Sequence, residues 1–167
     1  MVGQGVATPA KVSSKYGKPR HGAVGIVVEN NQFLVIRRSA FVRAPNMLCF
    51  PGGTIEIGET PEQAVVRELH EELGLIVNSP RMIWQSRTSW GTLLDWLVVD
   101  RHPESAPSAN EREVAEFMWL EPAKLLERPD LLGSMPDFFG AWASQVFELP
   151  SRAGAADPNW KRFVRRD

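Results

Sequence analysis

The sequence predicts an α/β (α+β) domain in which a mixed sheet lies between helices, and three observations carry that expectation. Runs rich in β-branched and aromatic residues recur between His21 and Leu120. They are interrupted by one strongly marked helix before Gly74 and followed by two segments of helical character with Pro near their starts. At 167 residues, 43% of them hydrophobic, the chain has the size of one ordinary domain and enough apolar surface for a single core.

Residues 1–20 are small, polar and basic without periodicity, which predicts a flexible arm or a strand ordered only by a partner. The domain itself is expected over 21–149. Its first two β-rich runs, AVGIVVE and QFLVIRR, flank Asn30-Asn31 and predict a hairpin. A short apolar stretch, 47–50, then meets Pro51-Gly52-Gly53, where regular structure gives way to a shaped loop. Thr60 as N-cap, Pro61 at the first helical position and Gln63 completing a capping box predict a helix that runs to Leu73, with Gly74 as its left-handed stop. Residues 81–88 and 92–99 around Ser89-Trp90-Gly91 predict a second hairpin, and 117–120 a further strand after a loop over 102–110. Residues 122–127 and 136–147 have helical character. From Pro150 the composition turns to Ala, Gly, Pro and Arg, so 150–167 is expected to be a tail.

Nineteen Lys and Arg against twenty Asp and Glu leave the chain near neutral, so the total charge advertises neither a nucleic-acid backbone nor an anionic membrane as partner. The single cysteine, Cys49, excludes an intramolecular disulfide framework and a cysteine-rich zinc site, and fits a reducing cytoplasm. No run has the length of a membrane span or of a signal-peptide core, which points to a soluble, cytoplasmic protein. Exchange of the N-terminal arm between subunits would give a homodimer, though nothing in the sequence demands one.

The chemistry concentrates in GTIEIGETPEQAVVRELHEELGL, Gly53 to Leu75. Glu68, Glu71 and Glu72 lie at i, i+3 and i+4 and share one helix face within a sector of roughly 100°. Val66, Leu69 and Leu73 fall on a sector roughly 140° away, which suits packing on a core while the acids face a site. All three acids sit toward the negative end of the helix dipole, where like charges are unfavourable without a counter-charge. Arg67, four residues before Glu71, offsets one of them. A divalent cation satisfies the group more fully, and hard oxygen ligands suit Mg²⁺, with Mn²⁺ as a substitute. An isolated pair of glutamates on a helix is usually a solvated face. Here the backbone of Gly52-Gly53 and the further acid Glu59 change that balance.

Gly53, five residues, Glu59, seven residues, then Arg67-Glu68-Leu69, one residue, Glu71-Glu72, one residue and Gly74-Leu75 fill every fixed position of the Nudix box, so the chain resembles the Nudix hydrolases, MutT-like members in particular. The likeness extends upstream to Arg38 and, more loosely, to Ala23. It implies an α/β/α sandwich with a mixed central sheet, and a box folded as loop, helix and loop. It also implies that Glu68, Glu71 and Glu72, with the Gly53 carbonyl, bind metal or hold the attacking water, and that Arg67 and Glu59 orient them. The family commonly adds a glutamate shortly before a strand bearing Trp. Glu113, six residues ahead of Trp119, fits best, with Glu111 and Glu116 as rivals.

The reaction implied is hydrolysis of a diphosphate bond in a small nucleotide substrate, with Glu68 the preferred general base. A nucleoside triphosphate giving a monophosphate and pyrophosphate leads; nucleotide sugars, ADP-ribose, dinucleoside polyphosphates and capped RNA are the alternatives. The resemblance makes Arg38 a substrate contact. An asparagine that reads the purine in MutT-type sequences falls here near Asp137, which departs from that pattern. Trp90, Trp96 and Phe138 either stack on a base or pack the core, the latter being commoner for large aromatics. His70 is rotated away from the acidic face, and Cys49 reads as a buried residue without a redox role. A non-catalytic binding module would be expected to lose box glutamates, and all are present. An isomerase, which would need a Cys and Glu pair, ranks last.

Overall fold

The computed structural model describes residues 20–150 and 160–164. Eight strands and three α-helices follow one another as β1 (His21–Ile26), β2 (Val28–Glu29), β3 (Gln32–Arg38), β4 (Leu48–Cys49), β5 (Gly52–Thr54), α1 (Pro61–Leu73), β6 (Val77–Arg87), β7 (Leu93–Arg101), β8 (Val114–Leu120), α2 (Pro122–Leu126) and α3 (Ser134–Ala143), and a 3-10 turn covers Trp160–Phe163. No helix among the described residues is long and apolar enough to cross a membrane.

The expected mixed sheet is present, and a second four-stranded sheet accompanies it. The first is mixed, in the order β5-β1-β7-β6: β1 runs parallel to β7 and antiparallel to β5, and β6 runs antiparallel to β7. In the second, β3 pairs antiparallel with β2, β4 and β8. This alters the first expected hairpin. Asn30 and Asn31 do make a left-handed turn, at φ 48° and 64°, but only Val28–Glu29 folds back on β3. The chain changes sheet at Val27, so β1 is free to fill the slot between β5 and β7, where it is hydrogen-bonded on both edges. The second expected hairpin forms between β6 and β7, and β6 starts four residues earlier than expected, after a register shift beside Ser79 at φ 50°.

Side chains alternate across a strand, so the two faces of β1 and β7 meet different partners. On one face, Gly25 lets α1 approach closely; a Cβ there would overlap Leu69. On the other, Trp96 stacks on Phe138 of α3, with ring centroids 5.1 Å apart, and Phe50 and Phe33 extend this aromatic core into the second sheet. Trp96 and Phe138 are thus core residues, while Trp90 is 59% exposed.

The expected arm and tail fall mostly outside the described residues. Within the tail, Trp160 is buried and stacks on Trp142 with centroids 4.4 Å apart, so part of that segment packs on the domain. Composition pointed the other way because a single aromatic anchor barely changes it.

Candidate active site

Helix α1 forms as its sequence requires. The Thr60 side chain accepts from the Gln63 N–H at 3.2 Å, the Gln63 side chain accepts from the Thr60 N–H at 2.9 Å, and Gly74 ends the helix at φ 63°. Its buried positions are Ala64, Val65, Glu68, Leu69, Glu72 and Leu73. Val66, expected in the core, is instead exposed, and Val65 takes its place. The inward face therefore includes two of the acids: Glu68 and Glu72 are 8% and 5% exposed.

Glu68, Glu72 and Glu113 each offer a carboxylate oxygen within 4.8 Å of one another. The trio brought together is therefore not the run of Glu68, Glu71 and Glu72 that helix spacing suggested. Glu68 and Glu72 differ by roughly 40° of rotation and both point at β5, whereas Glu71 is turned roughly 80° from their mean direction. It points outward, its side chain 48% exposed, and accepts from Arg67 at 3.1 Å. Of the three rivals ahead of Trp119, Glu113 joins the cluster, Glu116 pairs with Arg37 at 2.6 Å, and Glu111 is exposed.

Glu113 reaches the site because the preceding loop finishes α1. The Ser108 and Asn110 N–H groups donate to the carbonyls of Leu73 and Glu72, both at 2.8 Å, filling acceptors that a helix leaves open at its C-terminus. The Asn110 carbonyl then accepts from the Glu113 N–H at 2.9 Å, and the Glu113 carbonyl accepts from the Ser39 N–H at 2.9 Å.

The glycines of β5 press against the same carboxylates. The Gly52 N–H donates to Glu72 Oε2 at 2.9 Å. Gly52 itself is at φ 150°, and a Cβ there would overlap the Ala23 carbonyl; a Cβ on Gly53 would overlap the Glu68 carboxyl. Only glycine admits that approach.

Arg67 gathers the remaining acids of the box. It donates to both oxygens of Glu59 at 2.8 and 2.9 Å, to Glu68 at 2.8 Å and to the Thr54 carbonyl at 3.0 Å. The Arg67 hydrogen bonds hold the Glu59 carboxyl down at about 2. Glu68 and Glu72 behave oppositely. Burial pushes the Glu72 carboxyl up to about 8, and the charges on Glu68 and Glu113 add to that against the Gly52 N–H. Burial likewise raises Glu68 despite Arg67. Three converging carboxylates, two of them buried, with a single hydrogen bond from Arg67 to Glu68 as counter-charge, form a donor set that fits a hard divalent cation.

A cleft of about 820 Å³ opens beside this cluster and shares Gly52 and Gly53 with it. Among the described residues that line it are Arg20, Arg38, Arg43 and Arg87, and none that is acidic. Arg38 donates through Nε to the Arg43 carbonyl at 2.6 Å and lies 4.0 Å from the thiol of Cys49, which burial pushes up to about 12. Asp137 is not part of this lining. It lies on the exposed side of α3, and Ser134 and Met135 from the start of that helix line the cleft instead. A count from Trp119 fixes a position along the chain but not the direction in which a helix presents it. Nothing in the residue pattern marked Arg43, Arg87 or Ser134, because which loops meet over the cleft depends on sheet order. His70 is exposed, as its rotation suggested.

The NUDIX domain model matches residues 19–139. The chain is 43% identical over 103 residues to an 8-oxo-dGTP diphosphatase of Escherichia coli K12, covering 59% of this chain and 78% of that protein. It is 48% identical over 67 residues to an ADP-ribose pyrophosphatase of Methanocaldococcus jannaschii, a match confined to 37% of this chain and 38% of the relative. A crystal structure of a MutT protein from Methanosarcina mazei Go1 shares the fold, with a TM-score of 0.62 at 21% identity, covering 79% of this chain and 99% of that one. With every position of the box filled and its helix folded as the box demands, the chain belongs to the Nudix hydrolases and is a MutT-like member of that family.

Proposed function

We propose that this enzyme hydrolyses a nucleoside triphosphate, ribo or deoxy, to the monophosphate and pyrophosphate in a reaction that depends on Mg²⁺. One observation carries the reading: an acidic trio, two of its members buried, and a cleft whose charged lining among the described residues is cationic meet at the same two glycines. Such a cleft suits a polyanion, and the trio suits the cation that accompanies it.

Glu68, Glu72 and Glu113, with the Gly53 carbonyl, would hold Mg²⁺, or Mn²⁺ in its place. Bound there, the ion neutralises phosphate charge and lowers the pKa of a coordinated water. The chain's own residues supply the rest. Arg38, with Arg43 and Arg87, balances the phosphate charge and keeps the nucleoside end in the cleft. Glu68 is the general base, its carboxyl held against the Gly53 backbone at the edge of the cleft. Arg67 fixes the rotamer of Glu68 by hydrogen bonding and is itself held by Glu59. Glu71, outside the trio, neutralises Arg67 from the solvent side.

The relatives support a triphosphate over the other substrates. The match to the 8-oxo-dGTP diphosphatase spans most of that protein, whereas the matches to an ADP-ribose pyrophosphatase and an RNA pyrophosphohydrolase of Aliivibrio fischeri cover 38% and 36% of theirs. The deciding experiment is product identification in water labelled with heavy oxygen, with and without Mg²⁺. Monophosphate and pyrophosphate are expected, with the label in pyrophosphate alone. Orthophosphate as the primary product, or turnover of a nucleotide sugar but no triphosphate, would remove this reading, and undiminished turnover in chelator would remove the metal.

A further inference from the structure

Trp90 is an exposed aromatic that also lines the cleft; Trp96 and Phe50, which share that lining, are 1% and 3% exposed and belong to the core. Leaving a large indole in water sacrifices the stabilisation that burial would bring, so its place needs a reason outside the core. The turn that carries it is tightly held. The Thr88 N–H donates to the Thr92 carbonyl, the Thr92 N–H to the Thr88 hydroxyl and the Gly91 N–H to the Thr88 carbonyl, each at 2.9 Å, and Arg87 donates to the Gly91 carbonyl at 3.1 Å. The edge of the six-membered ring is directed at Gly133, where a Cβ would lie 3.8 Å from it, so the indole bridges from this turn to the start of α3.

Apart from the arginines assigned to the phosphates and His21, whose Nε2 is engaged by Asp95, the rest of the lining has little with which to read the edge of a base. Leu94, Leu132 and Met135 are apolar, Thr92 and Ser134 offer single hydroxyls, and the described lining residues include no Asn, Gln, Asp or Glu. An amide or carboxylate side chain that could pair with a base edge is therefore missing from the described lining. What the cleft offers instead is one rigid, half-exposed π face.

We propose that Trp90 is the residue on which the nucleobase stacks, so that this enzyme selects nucleotides by stacking area and binds purines in preference to pyrimidines. The inference rests on the triphosphate reading above for the phosphate end of the substrate. Stacking on an aromatic side chain is sequence-tolerant because every base has a π face, and it favours the larger ring system.

The test measures binding of the non-hydrolysable α,β-methylene analogues of dATP and dCTP, and of inorganic tripolyphosphate, each with Mg²⁺. Wild type is expected to bind the purine analogue more tightly than the pyrimidine one. Trp90→Ala should weaken the purine analogue about tenfold, the pyrimidine one less, and tripolyphosphate not at all. Trp90→Phe should restore most of the loss, and neither variant should lower the melting temperature. Purine affinity unchanged in Trp90→Ala, or a loss shared equally by tripolyphosphate, overturns the proposal. If the expected binding pattern appears while no triphosphate is hydrolysed, stacking stands and the proposed reaction falls.

Discussion

Replacing Glu72 by Gln separates the two roles that burial gives this residue. In chelator, burial keeps a proton on Glu72 up to about pH 8, while the unfolded chain releases it near the ordinary 4.5 of a free glutamate. Across that window the folded state binds the extra proton, so the stability of the metal-free wild type falls as pH rises and levels off above it. At ~1.4 kcal/mol per pH unit the ceiling on this loss is about 5 kcal/mol. Glutamine does not titrate, and its side-chain oxygen still accepts from the Gly52 N–H. Metal-free Glu72→Gln should therefore match wild type near pH 5 and exceed it by several degrees in melting temperature at pH 8.5. With Mg²⁺ the order reverses: wild type gains stability by mass action and the variant gains little, while its turnover falls by several orders of magnitude. Thermal melts at both pH values, with chelator and with millimolar Mg²⁺, supply the four comparisons. A metal-free variant less stable than wild type at pH 8.5, or one that Mg²⁺ stabilises equally, would refute the reasoning.

Two further outcomes follow from the placement of charges. Glu113→Gln should abolish most of the Mg²⁺-induced rise in melting temperature and reduce turnover more than Glu71→Gln, because Glu113 belongs to the trio and Glu71 faces outward; the reverse ranking would reinstate the helix triplet. Arg37 ties together the Asn46 carbonyl, Asp130 and Glu116, at 2.8, 2.8 and 2.6 Å. Arg37→Ala and Asp130→Asn should each cost about 1 kcal/mol in urea unfolding at pH 7, with the double variant costing less than the sum. Hydrogen bonds from Arg128 and Arg37 hold Asp130 below the usual carboxylate range. That contribution is present above an ordinary aspartate's pKa and is lost as pH falls below it, so the cost of Asp130→Asn should shrink toward pH 3. A cost that is flat with pH would mean the pair contributes nothing.

Local signals were legible in the sequence where one stretch of chain decides the outcome. Thr60, Pro61, Gln63 and Gly74 set both ends of α1 by capping alone, and the structure places the helix at the residues those signals indicated. The glycine pair and box acids were likewise visible, because their spacing is contiguous. What was not legible depended on contacts between distant segments. The chain's change of sheet at Val27 is decided by what β5 and β7 offer to β1, information held some 30 to 70 residues downstream. Val66 and Val65 are equally apolar, and only the direction of approach of the sheet decides which is buried. The same holds for Glu71 against Glu113, and for Asp137, whose helix turns it to solvent. Glu113 was identified through resemblance; no periodicity in the chain marks it.

The hydrogen bonds from Ser108 and Asn110 to the end of α1 make the third acid and the helix terminus parts of one object. The loop cannot lift away without reopening the last helical carbonyls and withdrawing Glu113 from the cluster, and the helix cannot fray without losing the loop. Opening of this corner is thus a single cooperative event, a small unit within the larger fold. A cation held there would act as a latch on that unit. Amide hydrogens of Ser108 and Asn110 would exchange more slowly once it is bound, while the distant β2–β3 turn would exchange at its former rate.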